Sequence, residues 1–154
     1  MPPIRIRVRS PRIFAFRCLS TFDATSPVWP PRLEPEVLGL YPDALLVRFR
    51  HRTMGRIVGG VSRVRLHAPD RIIEELLDGA VCSLRESLVL ESEGETTTVI
   101  TWSADVDLQV PLARILERTI AARQLHAEAE ATLDRYRVTI EAAALGAGLV
   151  GARR

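Results

Sequence analysis

The stretch LARILERTIAARQLHAEAEATLDRYRVTIEAAA, residues 112–144, decides the fold of this chain. Its apolar and small residues recur at alternating steps of three and four, which places them on one face of a helix. These positions are Leu112, Ile115, Thr119, Ala122, His126, Ala129, Leu133, Tyr136 and Ile140. Pro111 suits a first helical turn, and a helix from there to about Ala144 is roughly 50 Å long. We therefore expect one long amphipathic helix.

Upstream of this helix, apolar and polar side chains alternate, which is typical of strands with one buried face. The alternation predicts strands at 4–8, 37–40, 45–52, 58–66, 71–77, 80–91 and 96–108. RIIEELL at 71–77 also suits a helical turn, but the short distance between two turn signals favours a strand. Ser10 and Pro11 suit the N-cap and first turn of a short helix ending near Ser20. Prolines between 21 and 35 indicate an irregular loop, and Asp78–Gly79 and Gly94 indicate hairpin turns.

The first and last strands carry opposite charges on the faces that we expect to be exposed. Arg5, Arg7 and Arg9 alternate with apolar residues in the first strand, and Asp105 and Asp107 do so in the last. Opposite charges across a strand pair contribute about 0.2–1 kcal/mol each. We therefore predict that these two strands pair and that their charges face each other.

The order of elements is one strand, a short helix, a loop, six strands and the long helix. A long amphipathic helix after antiparallel strands lies across the sheet and covers its apolar face, which often encloses a pocket. The 154 residues fit one domain, which we place at 1–144, with a flexible tail at 145–154. Gly59 and Gly60 mark a place where the sheet can bend. The predicted fold class is α+β, with a curved antiparallel sheet of about seven strands wrapped on the helix.

Composition narrows the class of partner. The net charge of +2 is too small to indicate nucleic acid, and all 21 basic residues are arginine, as codon bias in a GC-rich genome produces. Cys18 and Cys82 show no metal or redox spacing, so a reduced, cytoplasmic protein is the default. No stretch is apolar enough to span a membrane, and the N-terminus lacks a signal-peptide core. The predicted exposed strand faces carry a basic stripe, which we interpret as solvated, at Arg48, Arg50, Arg52, Arg63 and Arg65.

The order of these pieces resembles the START-like helix-grip superfamily, also called SRPBCC, and within it the polyketide cyclase/dehydrase and lipid-transport type. The resemblance spans about residues 4–143. Its parts are the opening strand with Ser10, Pro11, Phe14 and Phe16, then Trp29–Pro30, HAPDRIIEELLDG at 67–79, and EGETTTVITW at 93–102, which leads through VPL into the long helix. It implies a sheet gripping the helix over a hydrophobic cavity, in proteins that bind lipids, polyketides or hormones. Some are enzymes and others carriers or sensors, without a family-wide catalytic motif.

Chemistry in such a cavity has to come from isolated polar groups on inward faces. His51, Glu86 and His126 are the catalytic candidates, because a histidine–carboxylate pair can move protons on a bound ligand. The ordinary alternative is a histidine bonded within the core, or a glutamate that reaches solvent or an arginine such as Arg123 or Arg137. The predicted ligand-lining residues are Phe49, His51, Leu84, Glu86, Ile100, Trp102, Thr119 and His126. We expect no metal and no cofactor, since nothing fixes a ligand spacing.

Three functions stay open at this point. The first is a carrier or sensor that binds a small hydrophobic molecule, lipid or polyketide-like, without covalent chemistry. The second is an aromatase/cyclase-type enzyme in which the pocket histidines or Glu86 assist aldol condensation or dehydration. The third is a protein-interaction domain whose sheet groove binds a partner. For each we expect a cytoplasmic monomer or homodimer with no nucleic-acid partner.

Overall fold

An antiparallel sheet and two helices build the fold in a computed structural model, which describes residues 1–29, 35–53, 56–78, 82–108 and 115–151. At 51–53, 56–58, 82–83, 107–108, 115–119 and 121 it describes the backbone alone. The strands are β1 (Ile4–Val8), β2 (Glu36–Leu40), β3 (Leu45–Thr53), β4 (Arg56–His67), β5 (Arg71–Asp78), β6 (Cys82–Ser92) and β7 (Thr98–Leu108). The helices are α1 (Arg12–Ser20) and α2 (Ile115–Gly146).

The described strands form one curved sheet in the order β1-β7-β6-β5-β4-β3-β2, and every neighbouring pair is antiparallel. After β1, helix α1 and the loop carry the chain to the opposite edge at β2. Successive antiparallel pairings then lead back until β7 lies beside β1. The predicted α+β class and the predicted strands are confirmed, including 71–77, which forms β5 and not a helical turn.

The predicted pairing of the first and last strands is confirmed, but its predicted cause is wrong. The register places Ile4 opposite Trp102 and Val8 opposite Thr98, so Asp105 lies beyond the start of β1. The arginines of β1 instead form ion pairs with glutamates at the C-terminal end of β6 and in the turn that follows it. Arg5 lies 3.8 Å from Glu91, and Arg7 lies 2.9 Å from Glu93. These exposed pairs contribute little, so burial of the apolar face decides the pairing.

A glycine allows β4 and β5 to approach each other where the ladder is irregular. A side chain at Gly60 would place its Cβ 2.9 Å from Cδ1 of Leu76. The register shifts next to it, between Val61 and Ser62. The shift leaves Leu77 as an extra residue in β5. An extra residue of this kind bends a strand and increases its twist, which agrees with the predicted bend at Gly59–Gly60.

Helix α1 begins as predicted but without the predicted cap. Pro11 is the N-cap residue, and among the described residues no side chain caps the helix. The Ser10 hydroxyl instead donates to the carbonyl oxygen of Pro11, and the Ser10 carbonyl accepts a 2.7 Å hydrogen bond from the Thr98 hydroxyl. Ser10 is fully buried, and its hydrogen bond with Thr98 connects the end of β1 to β7.

The apolar face of α2 packs on the sheet as the periodicity predicts. Leu133 and Ile140 are 2% and 0% exposed. Ile140 joins a core that contains residues of α1 and of several strands, whereas Leu133 packs with Trp102 and Ala104 of β7. The predicted start at Pro111 lies outside the described residues.

The helix ends at Gly146, two residues beyond the predicted end near Ala144. In the segment predicted as a flexible tail, Val150 is buried. The Arg9 side chain donates a 2.7 Å hydrogen bond to the carbonyl oxygen of Gly151. The described part of the segment therefore contacts the domain.

Removing the deepest side chain of α2 should destabilise the protein. Ile140→Ala leaves a cavity in the core, so we expect a loss of about 2–5 kcal/mol in the free energy of unfolding, measured by urea denaturation. Val138→Ala lies on the same helix with 57% of its surface exposed, and should cost less than about 1 kcal/mol. Similar losses in both variants would show that α2 is not anchored through this face.

Candidate functional site

Two glutamates face each other on the inner surface of the sheet. Glu74 of β5 and Glu86 of β6 are direct partners in the strand ladder, and they lie on the same face as the buried Ile72 of β5. Directly opposite residues have Cβ atoms roughly 4.5–5.5 Å apart. The pairing therefore brings two carboxyl groups together beneath α2.

Neutral donors hold both carboxyls in place. The Ser62 hydroxyl donates to Glu74 Oε1 at 2.7 Å, and the Trp102 indole nitrogen donates to Glu86 Oε1 at 3.2 Å. Ser62 lies on β4, the strand next to β5, and Trp102 lies on β7, the strand next to β6. The site thus spans four adjacent strands of the sheet.

The environment of the pair favours bound protons. Both residues keep some accessible surface, yet protein surrounds their carboxyl groups on nearly all sides. Burial, and then the negative charge of Glu86, raise the pKa of Glu74 to about 8, although the Ser62 hydrogen bond lowers it. Burial also raises the pKa of Glu86, against the hydrogen bond from Trp102. At neutral pH the pair therefore retains at least one proton.

Four aromatic rings pack against one another, and one of them, Tyr136, lies near the pair. Phe22 and Trp29 come from the loop after α1, Phe49 from β3 and Tyr136 from α2. The ring centroids of Trp29 lie 6.1 Å from Phe22, 5.8 Å from Phe49 and 5.9 Å from Tyr136. The indole nitrogen of Trp29 donates to the carbonyl oxygen of Thr21 at 2.8 Å, which fixes the loop. We call these four residues the aromatic wall.

Tyr136 connects the aromatic wall to the carboxyls. Burial raises its pKa, the nearby Arg135 lowers it, and the charges of Glu74 and Glu86 raise it further. The guanidinium carbon of Arg135 lies 5.6 Å from the centre of the Tyr136 ring. The phenol therefore stays protonated at neutral pH and within electrostatic range of both carboxyls.

The structure places His126 near the site without pairing it with Glu86. Its ring centroid lies 6.4 Å from that of Trp102, and its Nε2 lies 3.5 Å from a carboxylate oxygen of Glu130, one turn along the helix. Its Nδ1 is buried and has no hydrogen-bond partner among the described residues. Among the described residues, neither of the arginines suggested as partners of Glu86, Arg123 and Arg137, forms an ion pair with it. Arg137 contacts Asp134 instead.

The other predicted lining residues have varied environments. Phe49 and Trp102 are buried, Leu84 is half-buried, and Ile100 is fully buried in the core. The side chains of His51 and Thr119 lie outside the described ones, so their roles stay predictions.

Sequence reasoning missed Glu74, Ser62 and the three aromatic residues Phe22, Trp29 and Tyr136 as site residues. Strand alternation was sufficient to find Glu74, because it shares a face with Ile72. By contrast, no periodic signal marks the loop aromatics.

Two further findings concern other kinds of site. No helix in the described residues is both long and apolar enough to cross a membrane. Among the same residues, no three histidine, cysteine, aspartate or glutamate side chains are grouped so as to hold a metal ion.

Glu74 should make the folded protein less stable in alkaline solution. Its pKa is about 8 in the folded state against an ordinary 4.5, so between these values the folded state binds more protons than the unfolded state. The free energy of unfolding should therefore fall as pH rises from 4.5 through about 8, by on the order of 2–5 kcal/mol in total.

Urea denaturation at about pH 6 and about pH 9 measures most of this interval. Glu74→Gln should remove much of the fall. Glu75→Gln is the matched control, because that carboxylate faces Arg63 and Arg65 at 3.6 and 3.8 Å on the outer surface. A wild-type stability that stays level or rises over this interval would contradict the raised pKa.

Comparison with known proteins gives the fold. No family model matches the sequence, and no curated protein matches it significantly. The Zhui aromatase/cyclase from a Streptomyces species matches with a TM-score of 0.75 and 17% identity, over 93% of this chain and 92% of that one. TTHA0849 from Thermus thermophilus matches with a TM-score of 0.71 and 19% identity, over 92% of this chain and 99% of that one.

A START superfamily protein from Mycobacterium smegmatis gives a TM-score of 0.65 and 19% identity, over 88% of this chain and 95% of that one. These similarities cover the sheet and the C-terminal helix together. The chain therefore has the START-like, or SRPBCC, helix-grip fold.

Proposed function

We propose that the protein binds a small, mainly apolar organic molecule, lipid or polyketide-like, between the sheet and α2, and acts as a carrier or sensor. One observation carries this proposal. Side chains that point into the fold from both layers keep solvent-accessible surface. On the sheet these are Leu84, Glu86 and Leu88, and on the helix they are Ala129 and Tyr136.

Inward side chains in a filled core lose almost all of their accessible surface, because protein interiors are close-packed. Here the α2 backbone comes nearest to β1 and then to α1. Val8, Ile100 and Ile140 are fully buried there, and the same core continues to Val47 of β3 and Val64 of β4. The half-buried positions on β5 and β6 indicate that the layers do not close completely over the middle of the sheet.

An empty space of this kind is costly. A dry cavity of about 300 Å³, the lower end for ligand sites, costs on the order of 7 kcal/mol at about 24 cal/mol per Å³. That is comparable to the whole stability of a domain. Water or an organic molecule therefore occupies such a space, and the aromatic wall favours the organic molecule.

A second function, acid–base catalysis on the bound molecule, is favoured by the carboxyl pair. A carboxyl with a pKa of about 8 can donate and accept a proton near neutral pH. The aromatase/cyclase among the similar structures shares only the fold with this chain at 17% identity. The catalytic candidates become Glu74 and Glu86, with His51 and His126 as the earlier alternatives.

Filling the space should block binding without unfolding the protein. Ala129→Phe places a ring between the layers, and we expect a loss of at least tenfold in affinity for an apolar ligand, with a change in stability below about 1 kcal/mol. Ala131→Phe is the matched control, since it makes the same change on the exposed face of α2. A loss of about 1–3 kcal/mol in Ala129→Phe alone would show instead that no space exists.

Native mass spectrometry of the purified protein, with organic extraction of anything released, identifies the ligand class. We expect a co-purifying apolar molecule that Ala129→Phe lacks and Ala131→Phe retains. The binding function is wrong if wild-type protein carries nothing and a library of apolar ligands shifts the melting temperature of neither the wild type nor Ala131→Phe.

The extracted molecule also separates carrier from enzyme. If it is a substrate, wild-type protein converts it, and Glu74→Gln should lower the rate by about 10²-fold or more while binding persists. His126→Ala and His51→Ala test the histidine alternatives in the same assay. Unchanged mass after long incubation with wild-type protein favours the carrier.

A further inference from the structure

We propose that the molecule bound beneath α2 carries a protonated amine, and that Glu74 and Glu86 receive this ammonium group together. This inference rests on the proposed binding function, because it names the chemical class of the same ligand.

The described side chains around the two carboxyls do not balance their charge. Among the described side chains, the partners of the two carboxyls are a hydroxyl and an indole, and no cation contacts either of them. The sequence contains no lysine, and Arg135, the described cation beside Tyr136, lies over its ring. Two adjacent acidic groups without a counter-charge keep a proton or take a cation from outside.

The two carboxyls have spare hydrogen-bonding capacity. Each carboxylate has two oxygens, and in each glutamate the hydrogen bond from Ser62 or Trp102 goes to Oε1. Both residues are half-buried, so they keep accessible surface that a bound ligand could cover. An ammonium group has up to three N–H donors in a compact arrangement, so it can bond to both carboxylates at once.

Aromatic rings lie close to the pair. Cations are attracted to the faces of tyrosine and tryptophan rings. Tyr136 lies within electrostatic range of both carboxyls, and Trp29 packs against Tyr136, whereas Trp102 meets Glu86 through its N–H edge. A ligand anion would be repelled by the pair. A ligand alcohol has a single O–H donor, so it could bond to only one of the two carboxyls.

Proton and ammonium compete for the same place, so affinity must depend on pH. Ser62 on β4 and Trp102 on β7 face the pair but do not titrate near neutral pH. From α2, Tyr136 stays protonated, while His126 lies beside Trp102 and contacts Glu130. Loss of the proton shared by Glu74 and Glu86 is therefore the event that should strengthen amine binding as pH rises.

Three probes of equal chain length test the proposal: octylamine, octanol and octanoate. Isothermal titration calorimetry measures their affinities at about pH 6 and about pH 8.5, where an alkylammonium is still protonated. Fluorescence supports the calorimetry, because Trp29 and Trp102 are the two tryptophans of the chain. At the higher pH we expect octylamine to bind about tenfold more tightly than octanol, and octanoate most weakly. The advantage of octylamine over octanol should shrink several-fold at the lower pH.

Variants assign the effect to the pair. Glu74→Gln should reduce the ratio of octylamine affinity to octanol affinity by about tenfold at the higher pH, and Glu86→Gln should act similarly. Glu75→Gln changes the adjacent, outward residue and should leave the ratio unchanged. Circular dichroism confirms that each variant is folded.

The outcomes distinguish this inference from the function on which it rests. If octanol equals or exceeds octylamine at the higher pH, or if Glu74→Gln keeps the wild-type ratio, the ammonium proposal is wrong and the apolar pocket stands. If none of the three probes binds and Ala129→Phe behaves as a packed-core substitution, the pocket is wrong, and the ammonium proposal with it.

Discussion

Leu133 and Ile140 anchor α2 to the sheet, and the candidate site lies beside these contacts. The helix approaches β1 and α1 most closely, and a buried core runs from there to Val47 of β3 and Val64 of β4. By contrast, Glu74 on β5 and Leu84, Glu86 and Leu88 on β6 point inward and are only half-buried. Since hydrophobic stabilisation scales with the apolar area removed from water, the buried side chains supply the stability against which the proposed ligand space would have to be kept. Stability and the proposed binding therefore reside in different parts of one interface.

The elements of the fold could be predicted because their signals are local. The period of 3.6 residues in α2 identifies Leu133 and Ile140, and alternation in β3 and β6 identifies the inward faces of Phe49 and Glu86. Neither signal requires knowledge of which residues lie opposite each other. Charge complementarity was a poorer guide: it named the right partner strand for β1 with the wrong register, because exposed ion pairs contribute less than burial.

The site was harder to predict because it depends on register and on an irregular loop. A two-residue turn at Asp78–Gly79 places Glu74 opposite Ser83, whereas the observed register places it opposite Glu86. The meeting of the two carboxyls thus depends on the length of the connection between β5 and β6. Similarly, Trp29 lies in a loop without periodicity, and only the fold shows that it packs against Tyr136.

Two glutamates opposite each other on an inner strand face weaken a fold that relies on burial. Like charges across a strand pair are destabilising, and desolvation adds to the cost, as the raised pKa of Glu74 shows. Leucine at either position would pack better and cost nothing in charge. The hydrogen bonds from Ser62 and Trp102 orient the carboxyls but supply no charge. Among the described side chains, two acids are held together, oriented by neutral donors and placed beside Trp102 and Tyr136, so the counter-charge is left to a proton or to a ligand. The same pair therefore links pH, stability and binding, since whatever satisfies it in the folded state also stabilises that state.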